Sequence, residues 1–475
     1  MATKGFFCKF CFVIVSSILF FTALPASAGT SPCQGSLDYL KFQYDNDPVT
    51  RKAFDKVYKE LVDLPVGYSY GHSRENPWKT GGNGKGLYEQ MSNMFETWCT
   101  ALPQIRGDSD NALDPILYFA WFYYKNQAGQ DFVQGRNPLK PSEEFVTGMT
   151  FLSKWSNEYL DFMNSKDSRK YVEEWVKDPR IEIDDYVKTK AIQYKSWNEF
   201  FARNLKSDKS GNYPSRPVTM PERDYVIVSP TDCIMNPLVQ IVKTDGTYHR
   251  QYIDNPLQLN TVLDVKDIPI SVDDMLGSVP DDIKEKFVGG SGLTCVLMPN
   301  TYHHFHAPVD GTVIHAEVVK TGTMGTPGTF GYSDFPNWVP LDGNVGRPGT
   351  DFSQFQAYQR GVIVIKVEYD GLAEGNKKRE KKTGYVASIP VGLDSVGSVV
   401  LNTCDSKITD HVNCFNVGGP VTKGKTKLGN FFFGGSLDIL LFSEGMISPA
   451  VQTRMGNQIG VINIGKSPKS PWSLD

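Results

Sequence analysis

Four of the chain's seven histidines, His303, His304, His306 and His315, fall within thirteen positions of "TYHHFHAPVDGTVIH". Read as a strand, this stretch puts His304 and His306 on one face and His303 on the other. That spacing does not converge three ligands, and no HExxH pattern is present, so a metal site is not expected. Acid–base work beside a nucleophile fits better. A surface turn with satisfied histidines is the plainer alternative, weightiest for His304 and His315. Asp232, in "VSPTDCIMNP", ends an apolar run; alone it reads as a turn residue capping its own backbone. Ser436 follows Gly434-Gly435 in "NFFFGGSLDILLF" (430–442). On composition this is a β-hairpin, two β-prone runs around a glycine-rich turn. An Asp, a His and a Ser from three strand ends can also assemble an activated nucleophile, the acid orienting the His and the His deprotonating the Ser.

The elements that must position these residues fall into two halves. From about residue 35 to 190 the periodicity is helical. Phe54, Val57, Leu61 and Leu64 share one face of "VTRKAFDKVYKELVDL", and Phe151, Leu152, Trp155, Tyr159, Leu160 and Met163 share one face of "FLSKWSNEYLDFM". "ILYFAWFYY" (116–124) is continuously apolar, too short to span a bilayer, and starts after Pro115, so it predicts a buried core helix. After a polar linker, "KSDKSGNYPSRP" (206–217), short apolar runs alternate with turns: "YVIVSP", "LTCVLMP", "GTVIHAEVV", "GVIVIKVEY", "YVASIPV", "GSVVLN", "FFF", "DILLF" and "IGVINIG". The expected fold is α+β, a helical N-terminal domain followed by a mostly-β barrel- or sandwich-like domain.

Lys4 and Lys9, the apolar run from Phe10 to Leu24, and Ala26-Ser27-Ala28 read as a signal peptide cut after Ala28, with an uncleaved membrane anchor as the alternative. The mature chain is therefore expected outside the cytoplasm, secreted or periplasmic, with domains at 29–190 and 191–475. A net charge of -4 carries no basic excess for nucleic acid. Six cysteines remain after the leader; Cys404 and Cys414, close together in a polar segment, are the expected bridge, and buried thiols are a fair reading of Cys233 and Cys295. "NKKREKK" (376–382) reads as a solvated loop or, through 377–382, a peripheral contact with anionic lipid.

Five blocks in order, "SWNEFFARNLK" with "SRPV", "VSPTD", "MPNTYHHFHAPVDGTV", "VGLDSVGSV" and "KGKTKLGNFFFGGSLDILLF", resemble the phosphatidylserine decarboxylase family of pyruvoyl enzymes over about residues 190–445. The helical half, the Gly-Gly-Ser, and Ser353-Gln354 ahead of Arg360 resemble a soluble branch that includes fungal enzymes acting on free aromatic amino acids such as tryptophan. The resemblance implies self-cleavage at Gly435–Ser436. The serine Oγ attacks the Gly435 carbonyl, β-elimination frees the upstream chain, and the resulting dehydroalanine hydrolyses to a pyruvoyl group and ammonia. A glycine at 435 leaves that carbonyl unobstructed. Asp232 would orient His306, His306 would deprotonate Ser436, and His303 would serve decarboxylation. The pyruvoyl ketone, the covalent cofactor, would form a Schiff base with the substrate amine and act as the electron sink.

Departures from the family pattern are Leu437 where Thr or Ser is usual, Cys233 for Gly, Thr301 for an acid and His304 for Arg. The expected activity is decarboxylation of an amino acid, with the small chain 436–475 staying bound to the rest. The alternatives are phosphatidylserine as substrate and a non-processing binding protein.

Overall fold

The computed structural model describes residues 31–64, 73–102, 114–123, 126–244, 247–253, 256–265, 268–298, 300–319, 360–372, 379–392, 399–406, 413–432 and 436–447. The expected leader, the last candidate strand "IGVINIG", Gly434 and Gly435, and positions 376–378 of the basic run lie outside these residues.

The helical part comprises α1 (Gln34–Asn46), α2 (Pro48–Lys59), α3 (Gly84–Trp98), α4 (Asp114–Tyr123), α5 (Gln127–Gln134), α6 (Thr147–Asn164), α7 (Val172–Lys177) and α8 (Trp197–Phe201). Local chemistry sets the starts. The Asp47 carboxylate accepts from the Val49 and Thr50 N–H groups with Pro48 at the first turn of α2, and the Asn126 side chain caps α5. The apolar face of α6 buries Phe151, Trp155 and Tyr159, and Phe95 and Trp98 of α3 pack edge-on or tilted against Trp155 at 5.0 and 4.7 Å between ring centroids. Phe119, Trp121, Phe122 and Tyr123 of α4 are buried, as a core helix requires.

Cys33, ahead of α1, is disulfide-bonded to Cys99, just after α3, across a sequence separation of 66. Closing a loop of that size restricts the unfolded chain, so the double variant Cys33→Ser/Cys99→Ser is expected to lose about 4 kcal/mol of stability. Urea unfolding of the double variant against the parent protein checks this; an unchanged midpoint would show that the bridge stabilises nothing. The expected Cys404–Cys414 bridge is present, and Cys233 and Cys295 are free.

The strands are β1 (Arg136–Asn137), β2 (Lys140–Glu144), β3 (Ile234–Pro237), β4 (Val239–Thr244), β5 (Thr247–Tyr252), β6 (Val262–Val265), β7 (Ile268–Ser271), β8 (Ser291–Leu297), β9 (His304–His306), β10 (Gly311–Val319), β11 (Arg360–Leu372), β12 (Arg379–Val391), β13 (Val399–Leu401), β14 (Pro420–Val421), β15 (Lys427–Phe431) and β16 (Ser436–Phe442). Beyond the β1–β2 pair, they form an antiparallel seven-stranded sheet in the order β14-β10-β11-β12-β16-β8-β3, a three-stranded sheet β13-β15-β9 and a four-stranded sheet β5-β4-β6-β7. The fold is α+β with open sheets; the described strands close no barrel.

Alternation along β16 divides the core. Leu440 and Phe442 face a cluster shared with Phe305, Phe431, Trp197 and the helices, whereas Leu437, Ile439 and Leu441 face a second cluster with Leu257, Leu276 and Phe287. The seven-stranded sheet is thus covered on both faces, which is why β16 reads as an almost unbroken apolar run.

Three expectations change. Residues 225–230 form no strand. Val228 and Pro230 instead bond across to Pro308 and His306 (Val228 N–H to Pro308 O 2.9 Å, His306 N–H to Pro230 O 2.8 Å), and Pro230 has no N–H to continue a ladder. The four-stranded sheet over 239–271 was not expected, because its strands are only four to six residues long and carry charged residues. The third is the hairpin reading of 430–442. β15 and β16 belong to different sheets, so the two runs do not pair with each other as a hairpin.

Candidate active site

Ser436 is the first residue of β16 and lies opposite Leu297, the last residue of β8, while Leu297 leads through residues 298–303 into the histidine strand β9. On the other side of the same link, the Phe431 N–H at the end of β15 donates to the His303 carbonyl at 2.9 Å. The topology therefore brings the head of β16 and the histidine segment to one end of the sandwich. Gly429 permits the packing behind them: a Cβ there would lie 2.2 Å from the Val400 carbonyl oxygen and 2.3 Å from the Phe305 ring.

The three histidines are buried, and their contacts differ. The Thr301 carbonyl can only accept, so His303 donates to it through Nδ1–H at 3.0 Å and carries its lone pair on Nε2 when neutral. Its ring lies 3.7 Å from that of Phe201. His304 donates through Nε2–H to the Ala202 carbonyl at 2.9 Å. His306 Nε2 and the Tyr302 hydroxyl are hydrogen-bonded at 2.9 Å. Tyr302 contacts both His304 and His306 rings, so these two share a face as alternation expects. His315 lies apart on β10, 3.3 Å from Glu317.

Burial holds all three site histidines below their ordinary range. The positive charge of Arg203 adds to this for His303, and that of Lys427 for the other two; His306 is pushed down to about 3. Lys427 is itself buried and donates to Asn204 Oδ1 at 2.7 Å. All three rings are therefore neutral near pH 7, the state in which an imidazole can accept a proton.

The segment of Asp232 is pinned to the same place: Thr231 Oγ1 donates to the Tyr302 carbonyl at 3.1 Å. Its carboxylate is held by Arg216, with Nε 2.9 Å from both oxygens and Nη2 2.8 Å from Oδ2. The same guanidinium reaches Asp185 at 2.7 Å and Glu182 at 2.9 Å. The structure thus brings Asp232 and His306 onto adjoining segments, with Arg216 on the acid and Tyr302 on the imidazole.

Two further residues belong here that motif reasoning did not single out. Arg203, buried after α8, donates from Nη2 to the Asn300 carbonyl at 2.6 Å and the Thr301 carbonyl at 3.0 Å, so one carbonyl receives both Arg203 and His303. Asp438, two residues after Ser436, is completely buried; burial raises its carboxyl to about 7, against the opposing pull of hydrogen bonds from Ser388 and the Ile389 N–H. An acid within "LDILLF" was the visible signal. Of the basic run, Lys381 is 2.9 Å from Asp370 and Lys382 is 3.9 Å from Glu380.

Against known proteins, a family model described as phosphatidylserine decarboxylase matches residues 197–461, more than half of the chain and the part that holds Asp232, the three histidines and Ser436. The chain belongs to the phosphatidylserine decarboxylase family. As a member it is a decarboxylase, a lyase. It is similar to the phosphatidylserine decarboxylase proenzyme of Clostridium novyi, 26% identical over 330 residues that cover 70% of this chain and 83% of that protein. It also resembles decarboxylase iboD of Amanita muscaria, 25% identical over 250 residues, 52% of this chain and 58% of that one. Phosphatidylserine decarboxylase proenzyme 3 of Schizosaccharomyces pombe is 26% identical over 259 residues, 54% of this chain and 19% of that protein.

Proposed function

We propose that this member processes itself at Gly435–Ser436 and then decarboxylates a free amino acid through a pyruvoyl group made from Ser436. The observation that carries the reading is the place of Ser436 at the head of a central, doubly covered strand, opposite the end of β8 from which the chain runs on into a segment bearing neutral buried histidines. The residues present fit such a group: a cut before Ser436 leaves the ladder from Ser436↔Leu297 to Phe442↔Ser291 whole, so the new chain end stays anchored. A ketone at residue 436 supplies an electron sink for the departing carboxylate.

The chain's own groups have separate tasks. His306, neutral, takes the Ser436 proton during processing. Arg216 fixes Asp232, and Thr231 and Pro230 tie that segment to the histidine strand. His303 has Nδ1–H committed to Thr301, which leaves Nε2 to move a proton at the substrate carbon. Secretion after loss of residues 1–28 belongs to the same reading, and the two disulfides support it.

A free amino acid is favoured because helices α1–α7 form a large unit ahead of the family match, as in the soluble branch that the sequence resembles. Phosphatidylserine is the second reading, supported by the names of the relatives from Clostridium and Schizosaccharomyces. Among the described residues no helix is long and apolar enough to cross a membrane. Mass spectrometry of the purified protein, with release of carbon dioxide from free amino acids and from phosphatidylserine vesicles, tests the whole reading. An intact chain with unmodified Ser436 would overturn it, and turnover of the vesicles alone would transfer it to the lipid.

His303→Ala is expected to cut normally but to lose roughly 10²–10⁴-fold in turnover, the usual worth of a positioned acid or base. Gel analysis and a rate measurement on one preparation check this. An uncut protein would move His303 into processing.

A further inference from the structure

Alternation places positions 436 and 438 on one face of β16. That face, through Leu440 and Phe442, packs in the cluster that contains Phe305 and Phe431 of the three-stranded sheet. Asp438 therefore lies inside the sandwich on the side of the histidine strand, one side-chain repeat from the residue at which the reaction is seated.

Its surroundings leave it under-used. Ser388 Oγ lies 3.1 Å from each carboxylate oxygen and donates its single proton to them, and the Ile389 N–H is the other donor. A carboxylate has about four acceptor positions, so two donors leave capacity. The residue opposite it on β8 is Cys295, and next on β3 comes Met235; neither is a strong donor. A strand that otherwise offers Leu, Ile and Phe to the core gains nothing in packing from an acid, and a buried carboxyl is costly without a partner.

We propose that Asp438 determines substrate specificity: it accepts a hydrogen bond from the far end of an amino acid's side chain, selecting extended side chains that end in an N–H, O–H or ammonium donor. This rests on the reading of Ser436 as the seat of decarboxylation of a free amino acid. Two residues along a strand span about 7 Å, the scale of an indole, phenol or lysine side chain extending from the reacting centre. A phosphodiester on the same path would bring a second negative charge towards Asp438, so the residue also discriminates against a phospholipid headgroup.

The test compares the processed parent protein with Asp438→Leu and Asp438→Asn. The extent of cleavage is read first, from the mass of the small chain. Calorimetry then gives the affinities of tyramine against phenethylamine and of 1,5-diaminopentane against pentylamine, pairs that differ in a terminal donor. Decarboxylation of tyrosine, tryptophan, lysine, phenylalanine and phosphatidylserine vesicles is measured in parallel.

In the parent, the donor-bearing amine of at least one pair is expected to bind tenfold or more tightly than its partner, and Asp438→Leu is expected to bring that ratio within about twofold. Should Asp438→Leu not fold, Asp438→Asn decides: of similar size but without charge, it is expected to cut the ratio at least threefold. Equal binding within both pairs by the parent, or a ratio unmoved by the substitutions, overturns the assignment. If free amino acids are turned over while the ratio ignores Asp438, the assignment falls alone. If only the vesicles are turned over, the free-amino-acid reading falls and takes the assignment with it.

Discussion

Ser436→Ala is expected to yield a single uncut chain with no decarboxylation at all, because the substitution removes the oxygen that both attacks the Gly435 carbonyl and leaves in the β-elimination, without which no ketone forms at residue 436. Ser436→Cys or Ser436→Thr keeps a nucleophile and should cut slowly. His306→Ala should also remain uncut, since no other described residue offers a neutral imidazole hydrogen-bonded to Tyr302. In the parent protein, by contrast, two chains should elute together and part only in denaturant. β15 and β16 lie in different sheets, so the cut between them opens no ladder. The small chain keeps β16 between β8 and β12, with Leu437, Ile439, Leu440, Leu441 and Phe442 buried. Five such side chains contribute roughly 10 kcal/mol of burial, far more than one broken peptide bond disturbs. Electrophoresis and intact-mass measurement decide the matter. Cleavage in Ser436→Ala, or an active uncut parent, would end the pyruvoyl reading.

The link between β15 and β16 also shows what sequence could and could not disclose. "FFFGGS" has the composition of a hairpin, and local propensity carries no information on whether two strands share a sheet; only the competing pairings with β8, β9, β12 and β13 settle that. The apolar stretches of β11, β12 and β16 were legible because burial on both faces leaves an unbroken signature, and β10, of which only Val313 is buried, was legible from its β-branched run. The four-stranded sheet was not, since its short strands carry charges that weaken any periodic pattern. The Cys404–Cys414 bridge was visible as proximity along the chain, whereas Cys33–Cys99 depends on how α1 meets α3. At the site, the ordered motifs marked Asp232, His303, His306 and Ser436, but not the contacts that tune them. Arg216 approaches Asp232 from a loop sixteen residues earlier, and Arg203 reaches the Thr301 carbonyl from a helix end. Asp438 stood in plain view as an acid, yet its burial becomes evident only once the three-stranded sheet covers that face.

Acid should destabilise the uncut Ser436→Ala protein below about pH 6.5, and four buried groups, the three site histidines and Asp438, give the sign. His303, His304 and His306 have folded values below the ordinary 6.5, so they refuse protons that the unfolded chain accepts; their stabilisation is present above 6.5 and is lost as pH falls. Asp438 acts in the opposite sense. Its folded value, raised to about 7 from the ordinary 3.8, lets the native state keep a proton that the unfolded chain has released, a contribution fully present below 3.8 and lost as pH rises through 7. Near pH 5 His306, held at about 3, leaves the unfolded state one proton richer and Asp438 leaves it one poorer, while His303 and His304, both lowered, tip the balance to the histidine side. Stability should therefore fall as pH drops from roughly 6 to 4.5, each histidine that stays neutral contributing about 1.4 kcal/mol per pH unit. Asp438→Asn removes the compensating proton, so its slope should steepen by about 1.4 kcal/mol per pH unit over the same range. Urea midpoints of Ser436→Ala with and without Asp438→Asn, taken at half-unit intervals from pH 4.5 to 7.5, measure both slopes. A flat profile would mean that the histidines charge freely in the folded protein, and with it the neutral His306 on which processing relies would be lost. Parallel profiles would instead remove Asp438 from the interior of the sandwich, because only a carboxyl withheld from water resists ionisation until about pH 7.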